Sequence, residues 1–154
     1  MAATTPDGLT WSAVAALLAP SRNYWIGTTR ADRSPHAAPV WGVVVGEVLY
    51  VYTEVGTVKA RNLQADPRTV VHLESGDDVV MAQGTMTPVT EPDLIAPLLT
   101  AFAAKYTDPN DRQYLPVGPP GEVVLALQPV SAMTWQLGDY GGSQRRWTAA
   151  AAGT

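Results

Sequence analysis

The chain has no cysteine. Disulfides, thiolate nucleophiles and cysteine-held zinc or iron–sulfur clusters are therefore excluded. It has two histidines, His36 and His72, too few for a histidine-rich metal site within one chain. Asp77 and Asp78 have no accompanying ligands and read as a turn, so no metal is expected. Charged residues make up 16% of the 154, against about 25% in an average protein. The net charge is −4, which argues against nucleic-acid binding through a broad positive field. The longest apolar runs, such as 43–45 and 123–127, fall far short of the ~20 residues of a membrane helix. The start shows no basic stretch followed by an apolar one, so no signal peptide is expected and a cytoplasmic location is.

Hydrophobic residues reach 46%, enough for a real core in a chain of this size. A single domain over 1–154 is expected, with loose tails at 1–8 and 149–154. One phenylalanine stands against five tryptophans and six tyrosines. Aromatic residues with a polar handle suit pockets and interfaces.

Thr10 is an N-cap before Trp11, Val14, Leu17 and Leu18 at helical spacing, and Pro20 stops that helix. Residues 23–29 are rich in β-formers, and 35–45 read as one further strand after a polar turn. Gly46-Glu47 is a tight hairpin leading to a strand over 48–53, with Leu49, Val51 and Thr53 on one face. A short helix over 57–65 ends at Asp66-Pro67. Strands are expected at 69–74 and 79–89, the latter with a bulge at Gly84. Residues 91–106 form the main helix, with Leu94, Leu98, Leu99 and Phe102 on its apolar face. A Pro/Gly-rich loop, a strand over 122–137 bent at Pro129, a flexible loop at 138–142 and a short strand at 144–148 complete the chain. Closely spaced strands in hairpin order point to a six-stranded antiparallel barrel with helices at its ends.

Chemistry-bearing residues gather between 23 and 89. Lys59, Arg61 and Asn62 stand at the start of a short helix directly after a strand. Free N–H groups there, with a lysine and an arginine, make an anion site; a solvated basic face is the bland alternative. His36 and His72 suit structural roles. The order Y-W-I, R-A-D-R-S-P-H-A-A-P-V-W, V-L-Y-V-Y-T, K-A-R-N-L and V-V-H-L-E-S-G-D-D resembles the split β-barrel flavin/deazaflavin oxidoreductases. These form the pyridoxamine 5'-phosphate oxidase-like superfamily. Within it, the pattern is most similar to the B-type actinobacterial reductases that use the deazaflavin coenzyme F420.

The resemblance implies an FMN-binding split barrel, mainly β with short helices, and a homodimer with the cofactor in the groove between subunits. It implies that Lys59, Arg61 and Asn62 meet the cofactor phosphate, with Thr57 where a serine is common. It implies that Pro39, Val40, Trp41 and Gly42, with Thr53 beside them, lie along the ring system. The C-terminal Trp135, Tyr140, Arg145, Arg146 and Trp147 would cover the partner's site, Trp147 touching cofactor; ordinary edge packing is the alternative. The implied reaction is hydride transfer from reduced F420 to a conjugated C=C or C=N bond of a small molecule. No residue stands out as catalytic. An FMN-dependent oxidase or reductase on the same fold stays open, as does a non-catalytic flavin, deazaflavin or haem binder. Basic residues beyond the phosphate site would favour F420 with its anionic tail. Arg22, Arg30, Arg33 and Arg68 are the candidates. Neither nucleic acid nor membrane is an expected partner.

Overall fold

The computed structural model describes residues 8–150. Its elements are α1 (Trp11–Leu18), β1 (Tyr24–Thr29), β2 (Pro35–Val40), β3 (Gly42–Val45), β4 (Val48–Glu54), α2 (Val58–Ala65), β5 (Arg68–His72), β6 (Asp78–Pro88), α3 (Pro92–Lys105), β7 (Glu122–Gln136), α4 (Tyr140–Ser143) and β8 (Arg145–Thr148). Short 3-10 turns occupy Pro109–Tyr114 and Leu137–Asp139. The strands form one antiparallel sheet in the order β2-β1-β5-β6-β7-β4-β3, with β8 added beside β7. Its first and last strands, β2 and β3, are consecutive in the chain. The sheet therefore curls until its edges meet at Trp41, which makes a split barrel.

That seam corrects the expectation of one strand over 35–45. Residues 35–40 pair with β1 and residues 42–45 pair with β4, so the backbone must leave one ladder at Trp41 to join the other. Counted this way there are eight strands among the described residues rather than six. The loop expected at 138–142 is instead a 3-10 turn and the single turn of α4, capped by the Asp139 side chain on the Gly142 N–H.

Inside the barrel lie Tyr24, Ile26, Leu49, Val51, Val71, Ala82, Met86 and Leu127, all buried. Period-two alternation put them there: β4 buries Leu49, Val51 and Thr53 as expected. Gly46 and Glu47 both take positive φ, the geometry of a type I′ hairpin. α1 plugs one barrel mouth through Val14 and Leu18. Its Thr10 hydroxyl accepts from the Ala13 N–H, and Trp11 Nε1 donates to the Glu47 carbonyl at 2.7 Å. Leu17 faces outward instead, at 47% exposed. Ala149 donates to the Val130 carbonyl, so the expected tail starts later than 149. The rest of both expected tails, 1–7 and 151–154, lies outside the described residues.

α3 packs on the outer face of β3 and β4, where Val43, Phe102 and Tyr106 form a second core with Tyr50 and Tyr52 against them. Leu98 and Phe102 are its buried residues, while Leu94 is 43% exposed. Gly84 marks a register shift between β6 and β7. A Cβ there would collide with the Gln128 carbonyl, so this crossing needs glycine. No helix among the described residues is long and apolar enough to cross a membrane.

Candidate functional site

A cleft of about 430 Å³ opens at the seam. This is within the ~300–1,000 Å³ of small-molecule sites. Pro39, Val40 and Trp41 form one wall; Tyr52, Thr53, Glu54, Thr57 and Lys59 form the other; Asn23 and Tyr114 complete it. Two segments far apart in sequence thus meet because β2 ends where β4 passes into α2.

At the start of α2, Thr57 is the N-cap and its hydroxyl accepts from the Ala60 N–H at 3.3 Å. The same hydroxyl lies 2.9 Å from Thr53 Oγ1 and donates to the Glu54 carbonyl. The Arg61 N–H returns to the Thr57 carbonyl. The Val58 and Lys59 N–H groups belong to the helix start and have no intrahelical acceptor. Lys59 makes no hydrogen bond or ion pair among the described residues. Burial pulls its pKa below the ordinary lysine value, and the Glu54 carboxylate pulls weakly the other way. A partly desolvated ammonium beside two free N–H groups fits an anionic group of one phosphate's size.

The strand wall is braced from behind. Trp41 stacks on Tyr106 with centroids 4.0 Å apart and planes 5° apart, and meets Tyr114 edge-on at 6.3 Å. The Gly42 N–H donates to the Tyr106 hydroxyl at 2.9 Å, and that hydroxyl donates to the Arg22 carbonyl at 2.7 Å. Lys105 Nζ donates to the Gly42 carbonyl at 2.7 Å and to the Tyr24 hydroxyl at 2.8 Å. Side chains of α3 therefore satisfy the backbone where the ladders break. Burial lowers the Lys105 pKa to about 8 and raises that of Tyr106 to about 12. Tyr52 is also raised to about 12, by burial and then by Glu122. It keeps its proton at neutral pH and donates it to the Tyr114 carbonyl.

Of the expected residues, Pro39, Val40, Trp41, Thr53, Thr57 and Lys59 line this cleft. Four do not. Gly42 is buried beneath the wall, where a Cβ would meet Tyr24 at 3.0 Å and Leu49 at 3.1 Å. Arg61 is exposed and turns back to the Gly56 carbonyl at 3.2 Å. Asn62 is buried and donates to Thr28 Oγ1 at 3.1 Å, pinning α2 to β1. Trp147 is buried inside the barrel, paired across from Ala132 and 5.4 Å from the Trp11 ring. Its position on β8 points it inward, so the cover expected of it is corrected to core packing. Trp135 and Tyr140 meet edge-on at 5.8 Å on the outside.

Sequence reasoning missed Asn23, Tyr52, Glu54 and Tyr114, and the supports Lys105, Tyr106 and Asp111; it offered Arg22 only as a cation for the coenzyme tail. The available signal was the aromatic set Tyr50, Tyr52, Phe102 and Tyr106, which an outer-face helix must cover. His72 Nδ1 lies 2.7 Å from the Leu73 carbonyl, a structural role as expected. His36 Nδ1 has no partner among the described residues and lies away from this cleft. Asp77 sits in a bend and Asp78 opens β6, both N–H groups donating to Ser75 Oγ.

Residues 10–136 match the family model described as pyridoxamine 5'-phosphate oxidase. The chain belongs to this family. No curated protein shows significant similarity to it. Among solved structures, a heme binding protein from Mycobacterium smegmatis superposes with a TM-score of 0.71 at 18% identity. That match covers 90% of this chain and 57% of the other, so the chain spans just over half of that protein. A conserved hypothetical protein from Mycobacterium tuberculosis gives 0.67 at 20% identity, over 99% of this chain and 98% of the other. A NimC/NimA family protein from Clostridium acetobutylicum gives 0.64 at 11% identity, over 84% and 86%. At these identities the likeness speaks for the fold alone.

Proposed function

We propose that this family member is an oxidoreductase that holds the deazaflavin coenzyme F420 in the seam cleft and serves hydride transfer to a conjugated C=C or C=N bond of a small organic molecule. The observation that carries this reading is Lys59, half-buried and unpaired at the start of α2, in the same cleft as the strand edge Pro39–Trp41. A phosphate on Lys59 and the Val58 and Lys59 N–H groups would leave a flat ring system along Val40 and Trp41. When bound, the reduced coenzyme supplies the hydride. The chain binds, orients and excludes water: Trp41 on one wall, Tyr52 on the other and Tyr114 give the cleft aromatic sides, and Asn23 and Glu54 offer polar groups. No side chain in the cleft is assigned as proton donor.

A tail longer than a phosphate finds further cations. Arg30, Arg33 and Arg68 surround a cavity of about 440 Å³ with Ala65 and Asp66. It lies at the far end of α2, about 9 Å along the helix from Lys59 to Ala65 at about 1.5 Å per residue. Arg68 is shared there with Asp66 at 2.6 Å. Arg22 is not part of this group; it is bound to Asp111. These extra cations support F420 over FMN, whose charge ends at its phosphate.

The reading includes a homodimer. Trp25, His72, Met81 and Met133 stand opposite one another across β1, β5, β6 and β7, and Val70 and Trp135 lie two positions along on the same outer face. None is fully buried in the single chain, and beyond Val70 the sheet carries a groove of about 840 Å³ lined also by Gly27, Gln83 and Thr85. A partly apolar sheet face of this kind suits a second copy.

Titration of the purified protein with F420 and, in parallel, with FMN tests the reading. Binding of F420 with little FMN binding is expected. Preference for FMN replaces the coenzyme, and binding of neither removes the oxidoreductase reading. Light scattering should report twice the chain mass; a monomer at micromolar concentration removes the shared groove.

A further inference from the structure

We propose that the Arg22–Asp111 ion pair is a positioning clamp that fixes the Trp41 ring as a wall of the seam cleft and so sets coenzyme affinity. The ligand-binding half of this inference rests on the function proposed above; the ring-fixing half does not.

Trp41 stands in the link between β2 and β3, outside both ladders. Its backbone neighbours are held, but a ring in such a link is free to turn unless its surroundings fix it. One face is covered by Tyr106. The Arg22 guanidinium lies 5.1 Å from the Trp41 centroid and 5.7 Å from that of Tyr106. It therefore bridges both rings of the stack, within cation–π reach of each.

Arg22 comes from the connection between α1 and β1, and its side chain is 53% exposed. An arginine so exposed holds one geometry only if something anchors the fork. Asp111 does so with both oxygens, at 2.7 Å and 2.9 Å. Its own side chain is 5% exposed, so the carboxylate is fixed in the 3-10 turn Pro109–Tyr114. The guanidinium holds this carboxyl below the usual carboxylate range. The same turn carries Tyr114, which meets the Trp41 edge and accepts the Tyr52 hydroxyl through its carbonyl. One ion pair thus ties three cleft-lining aromatics, on three separate segments, to a single arrangement.

A planar ligand gains from a wall that is already ordered, because ordering a loose side chain on binding weakens association. Asp111→Asn keeps the size and removes the charge. It should raise acrylamide quenching of Trp41, read as the difference between D111N and D111N with Trp41→Phe, relative to the same difference in the parent. It should weaken F420 or FMN binding by about 3- to 10-fold, with the melting temperature of the unliganded protein nearly unchanged. Exchange of the pair, Arg22→Asp with Asp111→Arg, should restore part of both. If Asp111→Asn does not fold, Arg22→Lys, which keeps the charge but loses the fork, is read in the same two ways.

Unchanged Trp41 quenching overturns the clamp, whatever binds. Increased quenching with unchanged affinity overturns the link to the ligand. If the parent protein binds neither coenzyme, the proposed function fails, while the quenching difference still decides whether the pair fixes the ring.

Discussion

Two regions of the barrel solve the same problem in opposite ways. Across β6 and β7 the ladder runs unbroken in direction from Asp78 to Pro88, with one register shift at Gly84. Backbone groups there satisfy one another, and the enclosed side chains are apolar. At the seam between β2 and β3 the ladder stops. Gly42 uses the Tyr106 hydroxyl and the Lys105 ammonium in addition to its strand partner. The seam leaves an open cleft, an unpaired lysine and an aromatic wall held by side chains from elsewhere. The proposed coenzyme site sits where the sheet fails to close by backbone alone. The two tryptophans once expected at the coenzyme mark the contrast: Trp41 is at the seam, Trp147 is packed beneath the closed side.

That contrast can be broken most strongly at Trp147. Trp147→Ala should lower unfolding free energy by about 3–5 kcal/mol through the cavity it leaves, read by urea denaturation. Trp147→Phe should lose much less, since Nε1 has no acceptor among the described residues. Coenzyme affinity of the folded fraction should be unchanged in both; a specific loss of binding would return Trp147 to the site.

Gly84→Ala tests the closed side at its one irregular point. The added methyl meets the Gln128 backbone, and a loss of about 1–3 kcal/mol is expected in the same assay. An unaffected midpoint would show that the crossing is looser than its geometry indicates.

At the seam the signs reverse. Lys59→Met should weaken F420 or FMN binding by about 10- to 100-fold, the range of a charge-assisted contact. Stability should hold or rise, because a partly buried charge is removed. Fluorescence titration and a thermal melt check the two halves; equal affinity would detach Lys59 from the phosphate.

The last test is the pH response of the unliganded protein. Lys105 titrates near 8 when folded and near 10.5 when unfolded. Between these values the unfolded chain binds more protons, so stability should rise with pH from about 8. Above about 10 the trend should turn down, since unfolded tyrosines ionise near 10.0 while Tyr52 and Tyr106 hold to about 12. Denaturant midpoints from pH 7 to 10 should show the rise, and Lys105→Met should flatten it.

Much of this architecture was legible. Thr10 and Thr57 announce helix starts, and both hydroxyls cap as their chemistry requires. The alternation in β4 assigned its inner face. The bulge at Gly84 followed from a glycine inside a β-rich run. In the cleft, Lys59 was readable as an anion site at a helix start, while Thr53 and Thr57 came only with the family resemblance. The single strand over 35–45 was misread because Val40, Trp41 and Gly42 are all compatible with a strand. Only the curl of the whole sheet forces the change of partner at Trp41. Arg61 and Asn62 look equivalent to Lys59 in sequence, yet successive helical residues point about 100° apart, and the chain cannot say which one the cleft receives.

Local chemistry in the sequence determined where strands, helices and turns begin, because caps, alternation and φ preferences act over a few residues. Which side chains meet was decided by tertiary structure alone. Arg22 and Asp111 are 89 positions apart, and Lys105 and Gly42 are 63 apart. Contacts over such separations follow from how the sheet closes, since burial rewards any apolar partner and only the closed barrel chooses among them.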